Sequence, residues 1–179
     1  MTQASRRSAH RTLHLLLAAA LSGVLLVAAF PPWNLLGGAL IFVALLPFCW
    51  AITRATTLRE SLTVGLVTGY VMSILGFTWV AYTLERFGNL PAPVAWVGLA
   101  LFGFIGEPQF VLLSGAAFAT RNVARSLPSF ARPLYLAALY TAIDSLVPKL
   151  FADTLGHATH SMERLRQVAD LGGVGALVG

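Results

Sequence analysis

The sequence predicts an all-α membrane protein, a polytopic helical bundle of about five to six transmembrane helices with its N-terminus in the cytoplasm. Three observations carry this. The 179 residues are 57% hydrophobic and only 11% charged, whereas a soluble domain is typically about 25% charged. Mean hydropathy is +0.76. The charged residues also collect in short connections between long apolar runs, as they do when the runs lie in lipid.

Residues 1–12 are polar and basic, with Arg6, Arg7, His10 and Arg11, and read as a cytoplasmic N-terminus. Residues 13–179 read as the transmembrane domain. The run from Leu13 to Phe30 follows a basic stretch, as the core of a signal peptide would. It is long for that role, ends in Phe30-Pro31-Pro32-Trp33 without a small-residue cleavage site, and is followed by further apolar runs. It is therefore expected to be the first spanning helix. Pro31 to Asn34 forms a tight turn, and Leu35 to Ile52 is the second run, containing Gly37, Gly38 and Pro47. Proline and glycine are tolerated in such helices when neighbours satisfy the freed backbone groups.

The third run extends from Ser61 to Leu84. Its Gly65, Gly69 and Ser73 recur every fourth residue, a small-residue face that lets another helix approach closely. The fourth run, Ala92 to Ala119, is interrupted at Glu107-Pro108, and the fifth, Pro133 to Val147, contains Asp144 and extends towards Phe151. A polar connection follows over 148–167, and Val168 to Gly179 begins a sixth apolar segment too short to cross, so the chain reads as truncated.

Orientation follows from the basic residues. With the N-terminus inside, the cytoplasmic segments hold eight, Arg6, Arg7, Arg11, Arg54, Arg59, Arg121, Arg125 and Arg132. The outer segments hold four, Arg86, Lys149, Arg164 and Arg166. That asymmetry favours the N-in arrangement. It puts the turn from Gly76 to Pro93 and the 148–167 connection on one outer surface. The first of these carries Trp79, Tyr82, Glu85, Arg86 and Phe87 at the edge of an apolar run, the placement of an interfacial aromatic belt. Trp79, Tyr82, Glu85 and Phe87 are therefore candidates to face substrate or lipid.

Two carboxylates join them. An acidic residue within a spanning run is costly and defaults to a functional hypothesis. Glu107 is the sharper case. Its alternative role is to sit near an interface where Glu107-Pro108 breaks one helix into two. Asp144 either finds a partner within the membrane or reaches the outer interface. Glu85 and Arg86 read as a solvated pair. His157 and His160 share a helical spacing but lack a convincing third metal ligand, and read as surface histidines in a polar loop. Cys49, the single cysteine, lies among Pro47, Phe48 and Trp50. No base or cation activates it there, so it reads as packing. The scattered basic residues do not form a nucleic-acid patch. Residue chemistry alone thus reaches a polytopic membrane protein with an aromatic outer turn and stops short of a reaction.

Four stretches, in order, resemble the N-terminal membrane domain of apolipoprotein N-acyltransferases. Leu15 to Trp33 resembles that family's first helix with its Phe-x-Pro turn. Gly69 to Pro93 resembles its third helix and outer loop, through Trp79-Val80, Phe87-Gly88, Pro91 and Pro93. Tyr140 to Gly156 resembles a segment with a Trp-x-x-x-Glu motif, here Tyr140 and Asp144; Phe151-Ala152-Asp153 stands where Phe-Pro-Trp is usual. Gln167 to Gly175 resembles a Gln-x-Ala-Asp-x-x-Gly-Val-x-Gly stretch.

The resemblance implies transfer of an acyl chain from a phospholipid to the N-terminal diacylglyceryl-cysteine of a lipoprotein, in the bacterial inner membrane, with no cofactor. It also implies that the Glu-Lys-Cys catalytic triad belongs to a nitrilase-like domain following the early membrane helices. The sequence shown stops before such a domain, so no catalytic residue is assigned and the chain alone is expected to be inactive. A separately encoded catalytic domain is one expected partner, with phospholipid and lipoprotein as substrates of the whole. Two other readings stand beside this one: a non-catalytic membrane scaffold for a lipid-linked glycosyl synthase or other envelope enzyme, and a small transporter subunit using Glu107 and Asp144.

Overall fold

Helix α1 runs from Gln3 to Ala29 and packs chiefly against the helices that span residues 58–76 and 46–54. The computed structural model describes residues 3–148, 151, 154–165 and 167, and among these every regular element is helical. Lys149, Asp153, Arg166 and the expected sixth segment, 168–179, lie outside the described residues.

One face of α1 places Leu15, Ala19, Ser22 and Leu26 in the core, while Leu13, Leu17, Leu21 and Val24 form an exposed stripe. A row of exposed leucines on the outside of a bundle fits a lipid-facing surface. Gly23 lies where α1 crosses its neighbour α4 (Leu58–Gly76), and a Cβ there would come 2.8 Å from the Val71 Cβ. Pro31 and Pro32 then stop α1, because proline cannot continue the hydrogen-bond ladder.

The run expected as one helix over Leu35 to Ile52 is in fact broken. A 3-10 turn at Leu35–Gly38 is followed by α2 (Ile41–Ala44) and α3 (Leu46–Arg54). Gly37 and Gly38 take positive φ values of 63° and 83°, which glycine adopts at no steric cost. Pro47 sits in the first turn of α3, where its missing N–H costs nothing. The next amide, that of Phe48, donates to the Ser22 hydroxyl of α1 at 2.8 Å. A buried helix start is thereby satisfied by a neighbouring helix.

Thr57 caps α4 by accepting the Glu60 amide at 3.1 Å. The third apolar run continues past Gly76, but bends by 50° into α5 (Thr78–Arg86). The fourth run forms two helices, α6 (Ala92–Phe102) and α7 (Pro108–Ala119), with the break just before Glu107-Pro108. Short α8 (Arg121–Ser126) leads into α9 (Ala131–Leu146), which closely matches the fifth run. A 3-10 turn follows at Leu155–Thr159.

Among the described residues, Ala9–Ala29 is by itself long and apolar enough to cross a bilayer, and α4 with α5 passes the same test as a bent pair. Ile41–Arg54, Ala92–Phe102 and Pro108–Ala119 are apolar but shorter. Prolines and glycines thus divide several runs expected as single spans into helical pieces.

The main core joins α1, α3, α4, α7 and α9 around Leu15, Leu26, Phe48, Val64, Phe110 and Tyr140. Phe48 meets Phe110 edge-on, with ring centroids 5.7 Å apart. The expected small-residue face is the seam between α4 and α7. A Cβ on Gly65 would lie 2.4 Å from the Phe110 carbonyl oxygen, and one on Gly69 2.9 Å from that of Glu107. Ser61 in the same row donates to the Ser114 carbonyl at 2.8 Å. On the other side of α4, Thr68 donates to the Ala19 carbonyl at 3.1 Å. Close backbone approach and hydroxyl bonds replace hydrophobic drive between helices surrounded by lipid. Helices α5 and α6 form a second, smaller cluster around Ala81, Ala95, Leu99 and Phe102.

Candidate functional site

The two ends of the bundle differ in chemistry. At one end the chain leaves α4, turns through Phe77 and enters α5. Phe77 packs against Phe102 at 5.4 Å and stacks on Phe151 at 5.5 Å. Trp79 meets Phe151 at 5.0 Å, and Phe102 meets it at 5.9 Å. Rings at these separations and tilts attract one another beyond the area they bury. Phe151 thereby packs against the start of the Gly76–Pro93 turn. The 148–167 connection is tied to the first turn of the chain. Asn34 donates to the Ser161 hydroxyl at 3.2 Å, and Ser161 donates to the Gly37 carbonyl at 2.7 Å.

Of the four candidates on the aromatic turn, Trp79 enters this ring cluster and remains 47% exposed. Tyr82, Glu85 and Phe87 are exposed on α5 and just beyond it, Phe87 at 82%. The expected Glu85–Arg86 pair does not form among the described residues; the Arg86 guanidinium lies 5.7 Å from the Tyr82 ring instead. Neighbouring residues on a helix point in different directions, whereas positions four apart share a face. Asn89 turns the chain with φ 51° before Pro91 opens α6.

Glu107 is buried at the start of α7, where its carboxylate accepts a hydrogen bond from the Gln109 side-chain Nε2. Its backbone lies against Gly69 of α4. It therefore occupies the helix break, in the seam between α4 and α7. Asp144 is half-buried in the last turn of α9, four residues beyond buried Tyr140. His157 is engaged in the backbone: its Nδ1 accepts the Thr154 amide at 3.0 Å. Cys49 is half-buried against the main core.

The ring cluster was missed from the sequence. Phe77, Phe102 and Phe151 belong to three separate segments, and no spacing or residue pattern links them. No local signal joins them, since Phe77 and Phe102 lie inside the apolar runs 61–84 and 92–119.

The opposite end is basic. Arg11 of α1 reaches the loop before α4, bonding Thr56 at 3.0 Å and Glu60 at 2.6 Å. Burial alone would raise the Glu60 carboxyl's pKa. The Thr56 amide and hydroxyl, the Arg11 charge and the Thr57 amide outweigh it and hold the value below the usual carboxylate range. Arg54 lies over Trp50 at 4.8 Å and Arg121 over Phe118 at 4.1 Å. Arg132 donates to the carbonyls of Leu127 and Arg125.

An all-helical bundle with a leucine-lined exterior, an aromatic end and a basic end has the features of a membrane domain. The sequence profile of the apolipoprotein N-acyltransferase N-terminal domain matches residues 22–178, and the chain belongs to that family. An apolipoprotein N-acyltransferase of Bdellovibrio bacteriovorus is 36% identical over 87 residues, which covers 47% of this chain and 15% of that relative. The matched region is thus a small part of the relative's length. No solved structure matches the chain.

Proposed function

We propose that this chain is the multi-pass, N-in membrane domain of an apolipoprotein N-acyltransferase of the bacterial inner membrane. The family match across residues 22–178 carries this reading. The whole enzyme moves an acyl chain from a phospholipid to the α-amino group of a diacylglyceryl-modified lipoprotein cysteine. A nitrilase-like domain, joined to this one or separately encoded, supplies a cysteine thiolate. The thiolate attacks the phospholipid ester carbonyl, a lysophospholipid leaves, and the resulting thioester is taken by the lipoprotein amine. Forming a covalent intermediate divides one acyl transfer into two easier steps.

The contribution of this domain is positional. It holds the catalytic domain against the bilayer and brings both lipid substrates to it, an effect of proximity and orientation. The aromatic end is the side we assign to the outer face. Its half-exposed Trp79, with Tyr82 and Phe87 on α5, supplies an apolar edge along which acyl chains reach the catalytic domain. Glu85 is the polar marker of that edge. Glu107 and Asp144 support the helix break and the end of α9 rather than chemistry.

A strain depleted of its own acyltransferase tests this. Mass spectrometry of a lipoprotein N-terminus is expected to find N-acylation when this chain is joined to a nitrilase-like domain from a full-length family member. The chain alone is expected to give none. Acylation by the chain alone would place the chemistry here, and a membrane-inserted fusion without activity would remove the assignment. Reporter fusions at Gly88 and at Thr56 check the orientation: a periplasmic reporter is expected to be active at the first and silent at the second.

A further inference from the structure

We infer that the basic end of this domain holds an anionic phospholipid, with its phosphate on Arg121, Arg125 and Arg132 and an acyl chain in the groove between α3 and α9. The site lies at the end opposite the aromatic cluster, so it is separate from the place assigned to acyl transfer. Two adjoining cavities define it. The mouth, about 220 Å³, is lined by Arg121, Arg125 and Arg132 together with Phe118 and Thr53. The groove, about 450 Å³, runs from Arg132 past Leu136 and Ala137 to Tyr140 and Leu155. Ile52, Thr53, Arg132 and Leu136 line both, so mouth and groove are continuous.

The two parts complement the two parts of a lipid. The groove presents far more apolar than polar surface and has a size typical of small-molecule sites, about 300–1,000 Å³. The mouth gathers three cations with no carboxylate in its lining. These arginines are exposed, and none is in an ion pair among the described residues. Glu60, the acidic residue at this end among the described residues, is already engaged by Arg11 and Thr56. Arg121 is braced over Phe118, and Arg132 by the carbonyls of Leu127 and Arg125. Arg132 keeps Nη1 free of these carbonyls, and guanidinium groups complement a phosphate in charge and in hydrogen-bond donors. Basic pockets between helices at a membrane surface bind anionic headgroups. A soluble anion would use the arginines and leave the groove empty; a zwitterionic lipid would fill the groove and leave the charge uncompensated.

Native mass spectrometry of the full chain in detergent tests this, with dioleoyl phosphatidylglycerol, dioleoyl phosphatidylcholine and dihexanoyl phosphatidylglycerol as probes. Saturable binding of one dioleoyl phosphatidylglycerol is expected. Each basic side chain at an anionic surface contributes about fivefold, so Arg121→Gln/Arg125→Gln/Arg132→Gln is expected to bind it about a hundredfold more weakly. All three positions are exposed, so an unchanged unfolding temperature of the lipid-free variant will separate lost affinity from lost fold. Equal affinity for the phosphatidylcholine would overturn the role of the arginines. Equal affinity for the dihexanoyl lipid would overturn the role of the groove, and displacement by millimolar inorganic phosphate would show that a free anion occupies the mouth.

Discussion

The α4–α7 seam and the α5–α6 lobe are both helix–helix contacts, yet they are held by opposite means. In the seam, a row of small residues on α4 meets the α7 backbone. Gly65 and Gly69 let the α7 backbone come so close that a single added carbon would strike a carbonyl oxygen. Ser61 adds a hydroxyl bond to Ser114. In the lobe, Ala81, Ala95, Leu99 and Phe102 pack together and large rings gather at the edge, with Phe77 touching Trp79, Phe102 and Phe151. The difference teaches where each contact can yield. Carbonyl groups of a helix cannot move without moving the helix, whereas rings can turn and lipid tails can fill what they leave.

Gly65→Val gives the largest expected effect. Its Cβ would meet the Phe110 oxygen at 2.4 Å and the Ser114 hydroxyl at 2.5 Å. The helices must separate, at a cost of about 3 kcal/mol or more. Unfolding by dodecyl sulfate will read the loss. The matching change in the lobe is Gly98→Ala, whose Cβ meets the Leu84 Cδ1 at 2.7 Å. That atom is the free end of a flexible side chain, so the protein is expected to retain its stability within about 0.5 kcal/mol. Equal losses at the two glycines would erase the distinction between seam and lobe.

That seam was legible in the sequence because residue size and four-residue spacing are local properties, and Gly65, Gly69 and Ser73 display both. The break before α7 was legible for the same reason, since Pro108 announces it. The bend at Phe77 was not. Gly76 precedes it, but Gly65 and Gly69 lie inside a straight helix, so glycine alone does not mark a bend. The split of the second run was only half visible. Gly37, Gly38 and Pro47 were noted, yet their effect depends on Ser22 supplying the Phe48 amide from another helix. The aromatic turn was picked out in the sequence, but the ring cluster it joins was not. Trp79 was identified from its place at the edge of a run, but its partner Phe151 is far along the chain, and ring packing leaves no periodic trace.

Phe77→Ala sharpens the comparison at intermediate size. Each ring pair is worth about 0.5–1.5 kcal/mol beyond area burial. Phe77 is half-buried at the edge of the bundle, so lipid takes the place of the lost ring and the net cost is expected near 1 kcal/mol. The loss is expected to be local. Hydrogen exchange should quicken in α5 amides and stay unchanged in α4 and α7 beside Gly65. Faster exchange throughout would show that the rings support the seam as well.

The smallest effect belongs to the basic end, where Glu60 joins Arg11 of α1 to the loop before α4. Its folded pKa lies below the ordinary carboxylate value. A depressed carboxylate contributes stability above its unfolded pKa and loses it as the pH falls through the folded one. Stability is therefore expected to be flat from neutral pH down to about 5 and to decline below the unfolded value of about 4.3. Because exposed ion pairs contribute only about 0.2–1 kcal/mol, the decline will be shallow. Glu60→Gln removes the titrating charge and keeps an oxygen facing the Thr56 amide. Unfolding temperatures across pH 7 to about 3 are expected to fall less steeply in that variant than in the wild type. Identical slopes would mean that another carboxylate governs acid stability.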